Sequence, residues 1–77
     1  MNQERRKQLE IILEWLESIQ SDAEEILDEE KQYRDNIPKD LQSSEQYEQS
    51  DAVCDDLSDA LDGLADTVSS IVSAIAE

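Results

Sequence analysis

Residues 33–48 read YRDNIPKDLQSSEQYE, and this stretch decides the fold because both flanks of it carry helical patterns. Pro38 disfavours the α region at Ile37, so a helix arriving from the N-terminal side should stop near Asp35 or Asn36. Asn36 can adopt the left-handed conformation in which many helices close. A restart signal follows: Ser43 and Gln46 have capping-box spacing, and the start can be placed one residue either way. A connection of about seven or eight residues suits an antiparallel helix pair.

On the N-terminal side, Leu9, Ile12, Leu16, Ile19, Ala23, Ile26 and Tyr33 recur in alternating steps of three and four, interrupted at Glu30. This is a heptad pattern with Leu9, Leu16 and Ala23 at a, Ile12, Ile19, Ile26 and Tyr33 at d, and Leu13 and Leu27 widening the stripe at e. On the C-terminal side, Tyr47, Cys54, Leu57, Leu61, Leu64, Val68, Ile71 and Ile75 repeat the alternation, with Ser50 the one polar residue in it. Val53, Ala60, Ala65, Val72 and Ala74 flank that second seam. Folding the chain about Asp40 sets Ile26 opposite Cys54, Ile19 opposite Leu61, Ile12 opposite Val68 and Leu9 opposite Ile71. It also brings Arg5, Arg6 and Lys7 beside the negative C-terminal end of the second helix. The expected fold is all-α: one domain, an antiparallel two-helix hairpin of coiled-coil type. Its helices should span about 3–35 and about 44–76, joined by a linker of about 36–43.

Composition narrows the function classes. A chain of 77 residues is about half of a typical domain and buries only ~60% of its unfolded surface, so a lone monomer is marginal and a dimer forming a four-helix bundle is expected. One Gly and one Pro exclude an all-β sandwich or barrel. With no His and one Cys there is no zinc site and no internal disulfide. Cys54 sits at a seam position, where a small buried thiol is the ordinary role. A net charge of −15 speaks against direct nucleic-acid binding. No apolar run is long enough for a membrane span and residues 1–7 lack a signal-peptide core, so no membrane association and a cytoplasmic location are expected.

The acids themselves suggest two chemistries. Glu24, Glu25 and Asp28 with Glu48 and Asp51 approximate the paired acidic motifs of all-α, Mg²⁺-dependent nucleotide pyrophosphatases. On the heptad, however, the first three point to solvent, whereas a metal cage needs convergent carboxylates. A nucleotide hydrolase is therefore the weakest reading; no catalytic residue, metal ligand or cofactor is expected, and the chain is read as a non-enzyme. Asp55, Asp56 and Asp59 likewise lack the Gly-centred loop of an EF-hand. The surface pattern is more informative. From Asp40 to Glu77 there are ten acids and no Lys or Arg, although a solvated helix face normally interleaves both signs. Glu48, Asp51, Asp55, Asp59, Asp62 and Asp66 form a row with about one acid per turn, ~5.4 Å apart, a spacing of the order of that between phosphates on a nucleic-acid strand. They are the candidate partner-binding residues, for a basic protein. Solubility alone is the competing role for such a face. Ile11 and Trp15 lie off the seam, and Trp is enriched at interface hot spots, so this pair is the candidate self-association site.

The segment Asp35-Asn36-Ile37-Pro38-Lys39-Asp40-Leu41-Gln42-Ser43-Ser44-Glu45-Gln46-Tyr47-Glu48 resembles a linker of form N-(M/I)-P-x-x-L-Q-x-S-x-x-Y-E. That linker occurs in short, acidic, uncharacterised helical-hairpin proteins of Gram-positive bacteria, their phages and mobile elements. Lys39-Asp40 and Ser43-Ser44 stand where Glu-Asn and Gly-Ser are common. The resemblance implies a helical hairpin and a phage or mobile-element setting, hence the host cytoplasm. It implies no activity and no site residues. In that setting the expected function is a non-enzymatic inhibitor of anti-CRISPR or anti-restriction type, a DNA mimic whose acidic surface occupies the nucleic-acid-binding groove of a basic host protein. The alternative is a structural or assembly coiled-coil module.

Overall fold

Two helices account for nearly the whole chain in the computed structural model, which describes all 77 residues. Helix α1 spans Gln3–Asp35 and helix α2 spans Glu45–Ala76, and they lie against each other as an all-α hairpin. The molecule measures 59 × 15 × 13 Å, with a radius of gyration of 17.5 Å. A globular chain of this length would have about 11–12 Å, so the hairpin is a rod.

The helix ends are set by short polar side chains. At the start of α1 the Asn2 side chain accepts a hydrogen bond from the Arg5 backbone N–H at 2.8 Å, satisfying one of the free donors of the first turn. At its other end Asn36 does not enter the left-handed region expected for it. Its backbone stays right-handed (φ −84°, ψ −6°), with its N–H donating to Gln32 O at 3.0 Å. No residue in the chain has positive φ. Pro38 (φ −56°, ψ 147°) turns the backbone out of the helix, and the 3₁₀ turn Lys39–Leu41 then completes the reversal. The cap of α2 is Ser44 rather than Ser43. Ser43 still belongs to the turn, whereas Ser44 has the extended backbone of an N-cap (φ −73°, ψ 159°) and accepts the Tyr47 N–H at 3.3 Å.

Along α2 the seam follows the read pattern. Cys54 is 2% exposed, and Tyr47, Leu57, Leu61, Leu64, Val68, Ile71 and Ile75 are half-buried. Along α1 the seam is rotated by one row. Leu9, Leu13, Leu16, Gln20, Ala23, Leu27, Glu30 and Arg34 face α2, and Ile37 continues the row into the linker. Leu27 is 7% exposed, while Ile12, Ile19, Ile26 and Tyr33 lie outside the seam at 39%, 52%, 57% and 47%. The pairings of Ile26 with Cys54, Ile19 with Leu61 and Ile12 with Val68 are thereby corrected, because one residue is a 100° rotation on a helix. Leu9 and Ile71 both remain half-buried in the seam. The cause lies at the linker: Ile37 is 8% exposed and Arg34 reaches Asp51, and both require the leucine row of α1 to face inward.

Burial is uneven along the rod. Leu27, Ile37, Ser50 and Cys54 are the four buried residues, and all lie in the half nearest the linker. Ser50 is 4% exposed, and its Oγ has no hydrogen-bond partner. Ser50→Ala removes that unpaired hydroxyl and improves helix propensity, so it should stabilise the fold by about 1–2 kcal/mol. Thermal denaturation followed by circular dichroism checks this; a lower melting temperature would show that the hydroxyl has a partner. Gly63 has open space around its missing side chain, so no close approach within the hairpin requires glycine there.

Candidate interaction surfaces

Rotating α1 by one row sorts the exterior into two unlike flanks. Tyr33 and Val53 line one cleft together with Gln46, Gln49, Ser50 and Glu30, and the Gln46 side-chain amide donates to the Tyr33 hydroxyl. Ile12, Ile19 and Ile26 precede Tyr33 at seven-residue intervals, and Ala60, Thr67 and Ala74 follow Val53 at the same interval. Seven residues is close to two helical turns, so each set forms a row along its helix, both on the flank of this cleft. At the far end of the rod Met1 lies with Ser70, Ser73, Ala74 and Glu77, on the same side. Trp15 borders the isoleucine row and is 65% exposed; Ile11 is 48% exposed one turn before it.

The opposite flank is acidic. Arg34 marks it by donating to Asp51 across the hairpin at 2.9 Å and to its neighbour Asp35 at 3.0 Å. The hydrogen bond to Asp35 raises the Arg34 pKa above the ordinary arginine value, desolvation opposes this, and Asp51 adds to the rise. These are the only two ion pairs in the molecule, so of 21 acids only Asp35 and Asp51 are neutralised by a contact. Glu10, Glu17 and Glu24 of α1 share this side with Glu48, Asp55 and Asp62 of α2, while Asp59 and Asp66 occupy the outer face. Glu48, Asp55, Asp59, Asp62 and Asp66 are all exposed. Asp51 stands apart from this set, because it is half-buried and held by Arg34. Val72, 49% exposed, is the apolar exception on this side.

The basic residues at the N-terminus make no ion pair with Glu77 or any other acid. Arg6 turns into the end of the seam, where its Nε is buried without a partner. Glu24, Glu25, Asp28 and Glu48 are exposed, Asp51 is engaged by Arg34, and nowhere do three or more Cys, Asp or Glu side chains gather in a geometry that would hold a metal ion. Cys54 is a free, buried thiol. No helix is long and apolar enough to cross a membrane. No known protein family, curated protein or solved structure matches the chain.

Ile12, Ile19, Ile26 and Tyr33 form an exposed apolar row that the sequence pattern placed in the hairpin core instead. The available signal was the width of the stripe: α1 carries three apolar rows, and one neighbouring helix covers two.

Proposed function

We propose that the chain is a non-enzymatic protein–protein interaction module. It works as a self-associated hairpin and presents the acidic side of α2 to the nucleic-acid-binding groove of a basic partner. The observation that carries this is the row Glu48, Asp55, Asp59, Asp62 and Asp66, which is exposed and free of ion pairs on a helix without a single Lys or Arg. Helix α2 forgoes the i,i+4 pairing that would stabilise it, and the resulting field attracts cationic proteins. In a phage or mobile element, a module of this kind is an inhibitor of host defence that occludes the DNA- or RNA-binding site of its target.

The test is a quadruple variant, Asp55→Asn, Asp59→Asn, Asp62→Asn and Asp66→Asn, used as bait in host lysate beside the unmodified chain. None of the four touches the seam, so the fold should persist and gain slightly from reduced repulsion. Partner capture should fall, with a slower on-rate and a flatter dependence on salt, and added DNA or RNA should compete with the unmodified chain. A variant that captures the same basic protein as strongly would leave the charge with a solubility role only.

A further inference from the structure

We propose that the flank formed by Ile12, Trp15, Ile19 and Ile26 of α1 with Val53 and Ala60 of α2 is covered by the same flank of a second copy, so that two hairpins close into a four-helix bundle. This rests on the self-association in the reading above, not on its acidic surface, and centres the contact on the isoleucine row, with Trp15 at its edge and Ile11 outside it.

Three observations select a second copy as the occupant. The first is the amount of core. A single hairpin buries four residues and no large side chain completely, while Ile12, Trp15, Ile19 and Ile26 stay 39–65% exposed. Chains of this size are marginal on their own, and a third apolar row on a helix is the pattern of a bundle with a second neighbour. The second is charge. A chain of −15 can meet its own copy only where it has few acids. The rows Ile12, Ile19, Ile26, Tyr33 and Val53, Ala60, Thr67, Ala74 contain no charged residue; between them lies one acid, Glu30, at the linker end of the flank, and Asp22, Glu29 and Asp56 sit at the rim. The third is size and shape. At 1.5 Å per residue the rows Ile12–Tyr33 and Val53–Ala74 run about 32 Å of the 59 Å rod, a face of roughly 400–500 Å² per copy, which fits a small interface that comes apart on dilution. Its row on α1 is large and its row on α2 is small. A two-fold contact that sets the isoleucines of one copy on the Val53–Ala60–Ala74 row of the other fills the space evenly.

Trp15, the single tryptophan, reports the contact directly. The full chain should sediment as a dimer at about 200 μM and dissociate on dilution toward about 1 μM, and Trp15 emission should shift to the red as the dimer comes apart. Ile19→Lys should raise the dissociation constant on the order of 100-fold or more while far-ultraviolet circular dichroism stays helical, since the charge enters the interface twice. A monomer mass with constant Trp15 emission over that range overturns the proposal, as does a helical Ile19→Lys chain that dimerises like the unmodified one. Should Ile19→Lys fail to fold, the emission of the unmodified chain decides alone. No basic partner enters these measurements, so their failure is distinct from failure of the acidic row to bind.

Discussion

Leu27→Ala should cost about 2–5 kcal/mol, whereas Ile26→Ala, one residue away, should cost less than about 1 kcal/mol at concentrations where the chain is a single hairpin. Leu27 is 7% exposed and Ile26 57%, so the truncation opens a cavity in one case and trims a side chain already in water in the other. With a total stability of the order of 4–11 kcal/mol for a chain this long, the first change removes much of it. The melting temperature should fall by at least about 10 °C for Leu27→Ala. Thermal melts of dilute samples compare the two directly. Equal losses, or a larger loss for Ile26→Ala, would mean that the isoleucine row faces α2. The same contrast recurs two turns earlier on a polar residue: Gln20 is half-buried in the seam, and Gln20→Leu should stabilise the hairpin.

This pair of residues also marks where the sequence was legible and where it was not. Helix α2 offers one pair of rows with large apolar residues, flanked mostly by Ala, Asp and Ser, so Cys54, Leu57, Leu61 and Leu64 have a single consistent placement. Helix α1 offers two candidate rows that share Leu9, Leu16 and Ala23. By hydrophobicity alone Ile12, Ile19, Ile26 and Tyr33 outrank Leu13, Gln20, Leu27 and Arg34. The structure buries the poorer row because the linker decides: Ile37 packs against the hairpin, and Arg34 reaches across to Asp51. The Arg34–Asp51 contact joins residues 17 apart, and neither it nor the burial of Ile37 beyond the end of the helix is visible to a count of local periodicity. The acidic row of α2 was legible for the opposite reason, since its exposure follows from the seam of its own helix. Only Asp51 departs from it, and its partner Arg34 lies on the other helix.

Added salt should move folding and partner binding in opposite directions. Raising NaCl from about 20 mM to about 500 mM shortens the Debye length from about 20 Å to about 4 Å, which screens repulsion among acids spread along a 59 Å rod. Only two ion pairs are weakened in exchange, both at Arg34. The melting temperature should therefore rise, by about 5–10 °C if screening is worth of the order of 1–2 kcal/mol. Over the same range, capture of a basic partner by Glu48, Asp55, Asp59, Asp62 and Asp66 should weaken at least tenfold. A melting temperature that falls with salt would show that the Arg34 pairs outweigh the repulsion of all the other acids.

The concentration of buried residues near the linker sets the order in which the hairpin comes apart. Leu27, Ile37, Ser50 and Cys54 close the linker end, and the Arg34–Asp51 contact clamps the same end across the two helices. No residue in the half that carries both termini is buried to that degree, and no ion pair joins the helices there. Opening should begin at the termini and travel inward, with amide hydrogens around Leu9 and Val68 exchanging before those around Leu27 and Cys54. Closure runs the other way: the shortest loop joins the residues beside Pro38, so folding starts there at the lowest entropic cost and zips outward. The separated termini of two molecules can then re-pair with each other instead of with their own chain, which makes the loose end of the rod the natural place for strand exchange between copies.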